Sequence, residues 1–526
     1  MKNITITQEK INEIFDAADP QAEFQKLPVQ TAFYAIKTMG LDEAHDLLAL
    51  ASTEQIIGFF DLDCWDKETI DIPHLYQWLN SIINTSDDKL TEILKALDLE
   101  ILSYIFTLHT RIYRNNDGLD IRILHNFFYT EDNMYVIEVT KQNYFEIIKK
   151  IAYKIIEEDR ALALNFFESI AYTLPTVLEE TAYSARRARL EDLGIFDFYE
   201  AQDIYSYVKP KTEDDQSFIE KIREEPISYL PSLFWEPGKK TLFFDRVVAE
   251  INDAAALNNL KTQLLYLANK LISAHRINFS SLETIRERME ELRGTLNLSL
   301  EHSSQGNLDI AKALLNKESL TYLFKRGFSL TLDLKRKLES FLRLYSISVP
   351  KSLVDFFGEH YGNLIQGLLR KHPVLLNGNP EAQFIDSKET YTKTLTTVNY
   401  IENILQFLTK YIGFNFKQLN IHEKREITFV PMCNTLFAHR ILHNQTNILP
   451  LSREDCLSFI HLIKSKELRE VIKNDLKEIT HNQLSNYFYE NILKDTFDSL
   501  YSEIKDLDLL NFETRYITTL LLASSE

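Results

Sequence analysis

Apolar residues recur at helical spacing along almost the whole chain, and the runs are short. Between Leu27 and Tyr113 they fall into blocks of about 10–14 residues, the ordinary length of a globular helix. Each block is closed by a cap or a breaker. LPVQTAFYAIKTMG opens at Pro28 and stops at Gly40, the usual asymmetry of proline at helix starts and glycine at helix ends. LDEAHDLLAL follows at once, and Ser52 with Gln55 three residues later forms a capping box for a helix carrying Ile56, Ile57, Phe59 and Phe60. HLYQWLNSII, DDKLTEILKALD and LEILSYIFTLHTRIY continue the series. Links this short make consecutive helices antiparallel or sharply angled neighbours, as in superhelical stacks. No fixed repeat length occurs, so no named repeat type is expected.

The best strand signal is FFYTEDNMYVIEVT, where two aromatic and β-branched runs flank Glu131, Asp132 and Asn133; it predicts one β-hairpin over 127–140. Helical patterns resume through NYFEIIKKIAYKII and ALALNFFESIAYTL, and a longer one runs from Thr176 to Gly194. From Asp245 the longest helical pattern begins, with Leu257, Leu260, Leu264, Leu265, Leu267, Leu271 and Ile272 on one face. Ser280 and Glu283 read as a second capping box, for a helix ending or kinking at Gly294. Prolines 226, 231 and 237 mark 209–244 as a linker, and HPVLLNGNPEAQ is a second break. The expected organisation is therefore 1–112, 113–208, the linker 209–244, 245–371 and 372–526. The expected fold is all-α: multi-helical, superhelical (armadillo-like) stacks of short helices with one small hairpin.

Only 13 glycines and 13 prolines punctuate 526 residues, which favours helices over a strand-rich barrel or sandwich. The formal charge of −19 repels phosphate backbones and anionic lipid, so neither nucleic acid nor a membrane surface is an expected partner. Cys64, Cys433 and Cys456 are odd in number and far apart, which fits a reducing compartment without disulfides. With no apolar run of about 18 residues and no signal-peptide core in MKNITITQEKINEIF, a cytoplasmic location is expected.

Five segments, in order, carry a family resemblance: GLDEAHDLLALASTEQIIGFFDLDCW, AYSARRARLEDLG, RGTLNLSLEHSSQGN, RGFSLTLDLKRK and ITFVPMCNTLFAHRIL. Together they resemble a bacterial family designated domain of unknown function 6178, over roughly residues 24–520. The resemblance implies a cytoplasmic, mostly helical protein and no assigned activity. At the level of architecture, residues 24–112 are similar to the superhelical domain that precedes the regulatory module of bacterial magnesium channels, and to a helical domain of flagellar motor switch proteins.

Candidate chemistry is sparse. Asp61, Asp63, Asp66 and Glu68 suggest a divalent-cation loop, since hard cations take several oxygen ligands, but Trp65 stands at a ligand position and Asp66 where the turn glycine belongs. The alternative is a solvated interhelix loop with Asp61 or Asp63 capping a helix. His439 and His443, four apart, share a helix face on which a transition metal can bind, though Cys433 lies about 120° away. GKKT at 238–241 lacks the first glycine of a phosphate loop, and no nucleophile elbow occurs. A dispersed catalytic set is best sought at Glu179, Arg186, Arg187, Arg189 and Asp192, whose alternative role is an interhelix salt-bridge network. No cofactor is implied. These readings favour a helical scaffold or adaptor that binds another protein, with an enzyme at the Arg186 cluster or a divalent-cation sensor as alternatives.

Overall fold

The computed structural model of the chain describes residues 8–115, 121–170, 173–209, 242–277, 281–345, 347, 351–376, 382–416, 427–465, 467–505 and 517–523. Most of these are helical, and the fold is all-α with a few short strands. They gather into two compact units. Unit 1 holds the described residues of Met1–Ser206, Lys211–Arg293 and Gly306–Lys325; unit 2 holds those of Tyr207–Pro210, Gly294–Gln305 and Arg326–Glu526. The linker's residues 210–241, GKKT among them, and Ser280 of the expected capping box lie outside the described residues.

Unit 1 begins with α1 (Gln8–Phe15), α2 (Pro20–Gln25), α3 (Val29–Met39), α4 (His45–Leu50) and α5 (Thr53–Asp63). Local chemistry places these boundaries. Pro28 precedes α3, and Gly40 ends it at φ 96°, a backbone conformation that a side chain disfavours. Ser52 Oγ accepts from the Gln55 backbone N–H at 3.1 Å, and Gln55 Oε1 accepts from that of Ser52 at 2.9 Å, so the capping box is complete. The Gln55 amide also donates to the carbonyls of Phe24 and Leu27, tying α5 to the end of α2. After α6 (Ile72–Ile83) come α7 (Asp87–Ala96) and α8 (Leu99–His109). Trp78, fully buried on α6, sits 6.2 Å from the Phe33 ring and 5.6 Å from that of Phe59.

Strands appear where the helical pattern had left no room for them. β1 (Trp65–Asp66) and β2 (Thr69–Ile70) form a hairpin directly after α5. LEILSYIFTLHTRIY is helical only to His109; Thr110–Arg114 is β3, pairing with β5 from Thr110 opposite Val139 to Arg114 opposite Tyr135. The expected hairpin is present as β4 (Phe127–Tyr129) and β5 (Tyr135–Val139), giving the sheet order β3-β5-β4. Threonine, isoleucine and tyrosine suit a pleated half-buried surface, and the available partner edge overrides the helical reading. A small pair, β6 (Leu375–Leu376) with β7 (Ala382–Gln383), occupies the second break.

Four further helices of unit 1 are α9 (Phe145–Glu158), α10 (Arg160–Ile170), α11 (Pro175–Asp192) and the short α12 (Phe198–Ala201). The pattern beginning at Asp245 is two helices, Phe243–Ala249 and Ala254–Ala274, because Asp253 caps the second by accepting from Ala255 N at 3.0 Å. Gly294 neither ends nor kinks its helix, Leu282–Ser304. There the missing side chain admits Asp386, whose Cβ would lie 2.9 Å from a Cβ at 294.

Unit 2 packs the helices Lys388–Gln406, Phe429–His443, Arg453–Ser465, Leu468–Ile479, Asn486–Asp495 and Phe497–Ile504 around one apolar core, with Ile401, Phe407, Phe459 and Phe488 at its centre. Gly327 of helix Leu320–Leu344 lies against helix Leu282–Ser304, where a Cβ would lie 2.2 Å from the Thr295 carbonyl oxygen. The obstacle is backbone. Gly327→Ala is therefore expected to cost about 1–3 kcal/mol in urea denaturation, against less than about 0.5 kcal/mol for Ser340→Ala on the exposed face of the same helix. Cys64, Cys433 and Cys456 are free and buried. Among the described residues no helix is long and apolar enough to cross a membrane.

Candidate functional site

Most of the residues singled out from the sequence lie on α11 or at the end of α5, and Asp66 and Glu68 follow in the β1–β2 hairpin. Asp61 and Asp63 do not cap a helix; both lie inside the last turn of α5, each 1% exposed. A carboxylate so placed needs a cation, and each has one. Arg189 forks onto Asp61 through Nε at 2.6 Å and Nη2 at 2.8 Å, and holds Asp98 through Nη1 at 3.0 Å and Nη2 at 2.8 Å. Burial would depress the Arg189 charge, but its hydrogen bonds to Asp61 and Asp98 reverse the effect and raise its pKa. Burial pushes Asp61 upward, with the Arg189 hydrogen bond opposing. Asp63 accepts from Lys37 Nζ at 3.1 Å and from the Trp78 indole at 2.8 Å.

Glu179 has an organising contact. Its Oε1 accepts from the Ile70 backbone N–H at 2.9 Å and from the Tyr104 hydroxyl at 3.1 Å, fixing β2 against α11 and α8. Burial, with Glu179 second, pushes the Tyr104 hydroxyl up to about 12. Asp66 is exposed on β1, and Asp192 is exposed at the end of α11.

Arg186 is the member whose chemistry is left open. Its Nε donates to the Asp61 carbonyl at 2.8 Å and its Nη1 to the Lys67 carbonyl at 3.3 Å, while its Cζ stands 5.0 Å from the centroid of the Trp65 ring. Among the described residues no carboxylate forms an ion pair with it. Burial lowers its pKa to about 10, which leaves it cationic at neutral pH. Carbonyls and an aromatic face hold the guanidinium in place, and its charge is not cancelled by direct pairing.

The space beside Arg186 is a cleft of about 230 Å³ in unit 1. The β1–β2 hairpin, α11, the segment 195–198 and residues 273–277 enclose it. Trp65, Tyr183, Phe196 and Phe198 give it flat aromatic walls, and Arg276 and the Ser273 hydroxyl, which has no hydrogen-bond partner among the described residues, complete the polar side. Most carboxylates around it are already engaged: Asp197 caps α12 by accepting from Tyr199 N at 2.9 Å, Asp71 caps α6 by accepting from His74 N at 3.1 Å, and Glu68 lies 3.6 Å from Arg276. Arg187 is 3.9 Å from Asp197, and the Arg276 guanidinium stacks 3.9 Å from the Phe198 centroid.

A family model described as Family of unknown function (DUF6178) matches residues 6–523. The chain belongs to that family. No curated protein and no solved structure matches the chain. Two of the segments that carried the family resemblance build the cleft: DLDCW contributes Leu62 and Trp65, and AYSARRARLEDLG contributes Tyr183, Arg186, Arg187 and Leu190.

In unit 2, His439 and His443 have ring centroids 6.1 Å apart, and each uses a ring nitrogen elsewhere. His439 Nε2 meets the Leu449 carbonyl at 2.9 Å, and His443 Nε2 meets Asp455 at 3.0 Å. Sequence reasoning did not reach Arg276, Ser273, Phe196, Phe198 or Asp98. Asp98, Ser273 and Arg276 lie more than 80 positions from Arg186, Phe196 and Phe198 lie beyond the end of its helix, and no local pattern links them to it. Asp98 alone had a signal, as an acid at a helix start, but nothing local pointed to Arg189.

Proposed function

We propose that the protein acts by binding, and that the unit 1 cleft recognises an anionic group attached to a flat apolar body. The observation that carries this reading is Arg186: a guanidinium held by two carbonyls and a tryptophan face, with no carboxylate of its own, on the wall of an aromatic-lined cleft. In a chain of net charge −19, such a site supplies local attraction for an anion that the average surface lacks. The capped and paired carboxylates around it favour recognition over acid–base work.

The cation-sensing alternative finds Asp61 and Asp63 already neutralised by Arg189 and Lys37, which a divalent ion would have to displace. The scaffold reading keeps a specific support: Tyr199, 73% exposed, stands next to cleft-lining Phe198, and exposed tyrosine suits a protein interface. In that version the anion is an acidic side chain or terminal carboxylate of a partner protein.

The test is a thermal-shift and calorimetric series with benzoate, phenyl phosphate and adenosine monophosphate. At least one is expected to bind the wild type, with affinity about 10- to 100-fold weaker in Arg186→Met and partly retained in Arg186→Lys. Equal binding by wild type and Arg186→Met, or no binding by any anion, counts against the cleft.

A further inference from the structure

Unit 2 contains a second arginine whose charge has no partner among the described residues, and it is more deeply placed than Arg186. Arg326 is 9% exposed, and its Nη1 is shielded from solvent without a hydrogen bond. Among the described residues the guanidinium makes no hydrogen bond, ion pair or ring contact. Its neighbour Gly327 seats this turn of the helix on Thr295, and Thr295, Ser299 and His302 follow one another at spacings of four and three along a single face of helix Leu282–Ser304. The Ser299 hydroxyl, on a fully buried side chain, has no hydrogen-bond partner among the described residues. The His302 ring stands edge-on to Tyr391 with centroids 5.7 Å apart, and neither that ring nor the Tyr391 hydroxyl makes a hydrogen bond among the described residues.

The charge of Arg326 reaches both rings. Burial first, and Arg326 second, lower the pKa of His302, while at Tyr391 burial and Asp333 raise the pKa against the opposing effect of Arg326. The nearby acids are committed elsewhere: Glu301 accepts from Lys388 N at 2.7 Å, and Asp333 lies 3.9 Å from Arg336. What remains is a group of donors without an acceptor: a guanidinium, two hydroxyls and an imidazole that carries one N–H when neutral. A buried cation left in that condition is costly, and hydrogen bonds to a charged acceptor remove the cost.

We infer that unit 2 binds a tetrahedral oxyanion, phosphate or a phosphoryl group, at Arg326 with Ser299, His302 and Tyr391 as further donors. Arginine's planar fork suits two oxygens of such a group, and the further hydroxyl and imidazole donors suit a tetrahedral acceptor, which offers more oxygens than a planar carboxylate. This inference does not rest on the unit 1 cleft.

The experiment uses full-length Arg186→Met, which removes the cleft as a competing anion site. Inorganic phosphate is titrated at constant ionic strength, with acetate as control, while melting temperature and the phosphate ³¹P line width are followed. A saturable response to phosphate and none to acetate is expected, with affinity at least about tenfold weaker when Arg326→Met is added and partly kept with Arg326→Lys. Should Arg326→Met fail to fold, Ser299→Ala with Tyr391→Phe removes donors while keeping the charge, and the same weakening is expected. An unchanged phosphate response in these variants overturns the inference, as does the absence of any saturable phosphate response in the folded parent.

Discussion

Arg189→Met is expected to lower the stability of unit 1 by about 3–5 kcal/mol at pH 7, read from the urea-induced change in tryptophan fluorescence of Trp65 and Trp78. The reason is Asp61. Its carboxylate is 1% exposed and takes two hydrogen bonds from Arg189, so the variant leaves a buried charge without its partner. Asp98, with its side chain 19% exposed, keeps some access to water and adds less. The loss has a defined pH dependence. Burial already raises the Asp61 pKa above its ordinary value, and removing Arg189 raises it further. For an acid whose folded pKa is raised, the folded state binds the proton more tightly than the unfolded one, so stability falls as pH rises through that range. The deficit of Arg189→Met is therefore greatest at neutral pH and shrinks as pH falls through the elevated Asp61 value. A second substitution, Asp61→Asn, should recover much of the loss at pH 7.

The same residues show what a sequence reveals and what it does not. Helix starts and stops at Pro28, Gly40, Ser52 and Gly194 were legible because caps and breakers act within three or four residues. The hairpin at 127–140 was legible for the same reason, since its turn lies between its own strands. β3 was not, because Thr110–Arg114 becomes a strand only by pairing with β5, some 25 positions away. The arginines of α11 were visible as a mixed-charge cluster; that Arg189 serves Asp61 while Arg186 is left facing a cleft depends on a meeting of residues more than a hundred positions apart. The acidic run at Asp61–Asp66 reads as a loop from its spacing, yet Asp61 and Asp63 lie within α5, where distant cations make their burial tolerable, and Asp66 lies beyond it, exposed on β1.

Asn434→Ala is the other substitution with a large expected effect, and it acts on unit 2. Asn434 is fully buried, and its amide donates to the carbonyls of Thr496 and Thr519, each at 3.1 Å. It thereby holds the C-terminal segment 517–523, which is also bound by Thr435 Oγ1 accepting from Leu521 N at 2.9 Å and by the bridge between Leu451 and Leu522. Glu503 accepts from the Thr518 backbone and hydroxyl at 2.8 Å each. Truncation at 434 removes one donor from the Thr496 carbonyl, which keeps the Leu500 N–H, and one from the Thr519 carbonyl, and leaves a void, for a cost of about 2–4 kcal/mol. Hydrogen exchange should show the amides of Leu521 and Ala523 losing protection first, because local opening of that segment becomes the easiest excursion. Asn434→Asp should be worse, since a carboxylate would face the same two carbonyls.

The account rests on Arg186 being a recognition group. Trp65 offers the most direct observation of it, because its ring lies 5.0 Å from the guanidinium and lines the same cleft. Fluorescence titration of full-length protein with the anion that performs best in the thermal-shift series, using Trp65→Phe to identify the signal, measures occupancy where it is claimed. A saturable change from Trp65 is expected in the wild type and is lost in Arg186→Met at the same ligand concentrations. A Trp65 signal that saturates identically in both proteins, or an anion that binds tightly without altering Trp65, would contradict it.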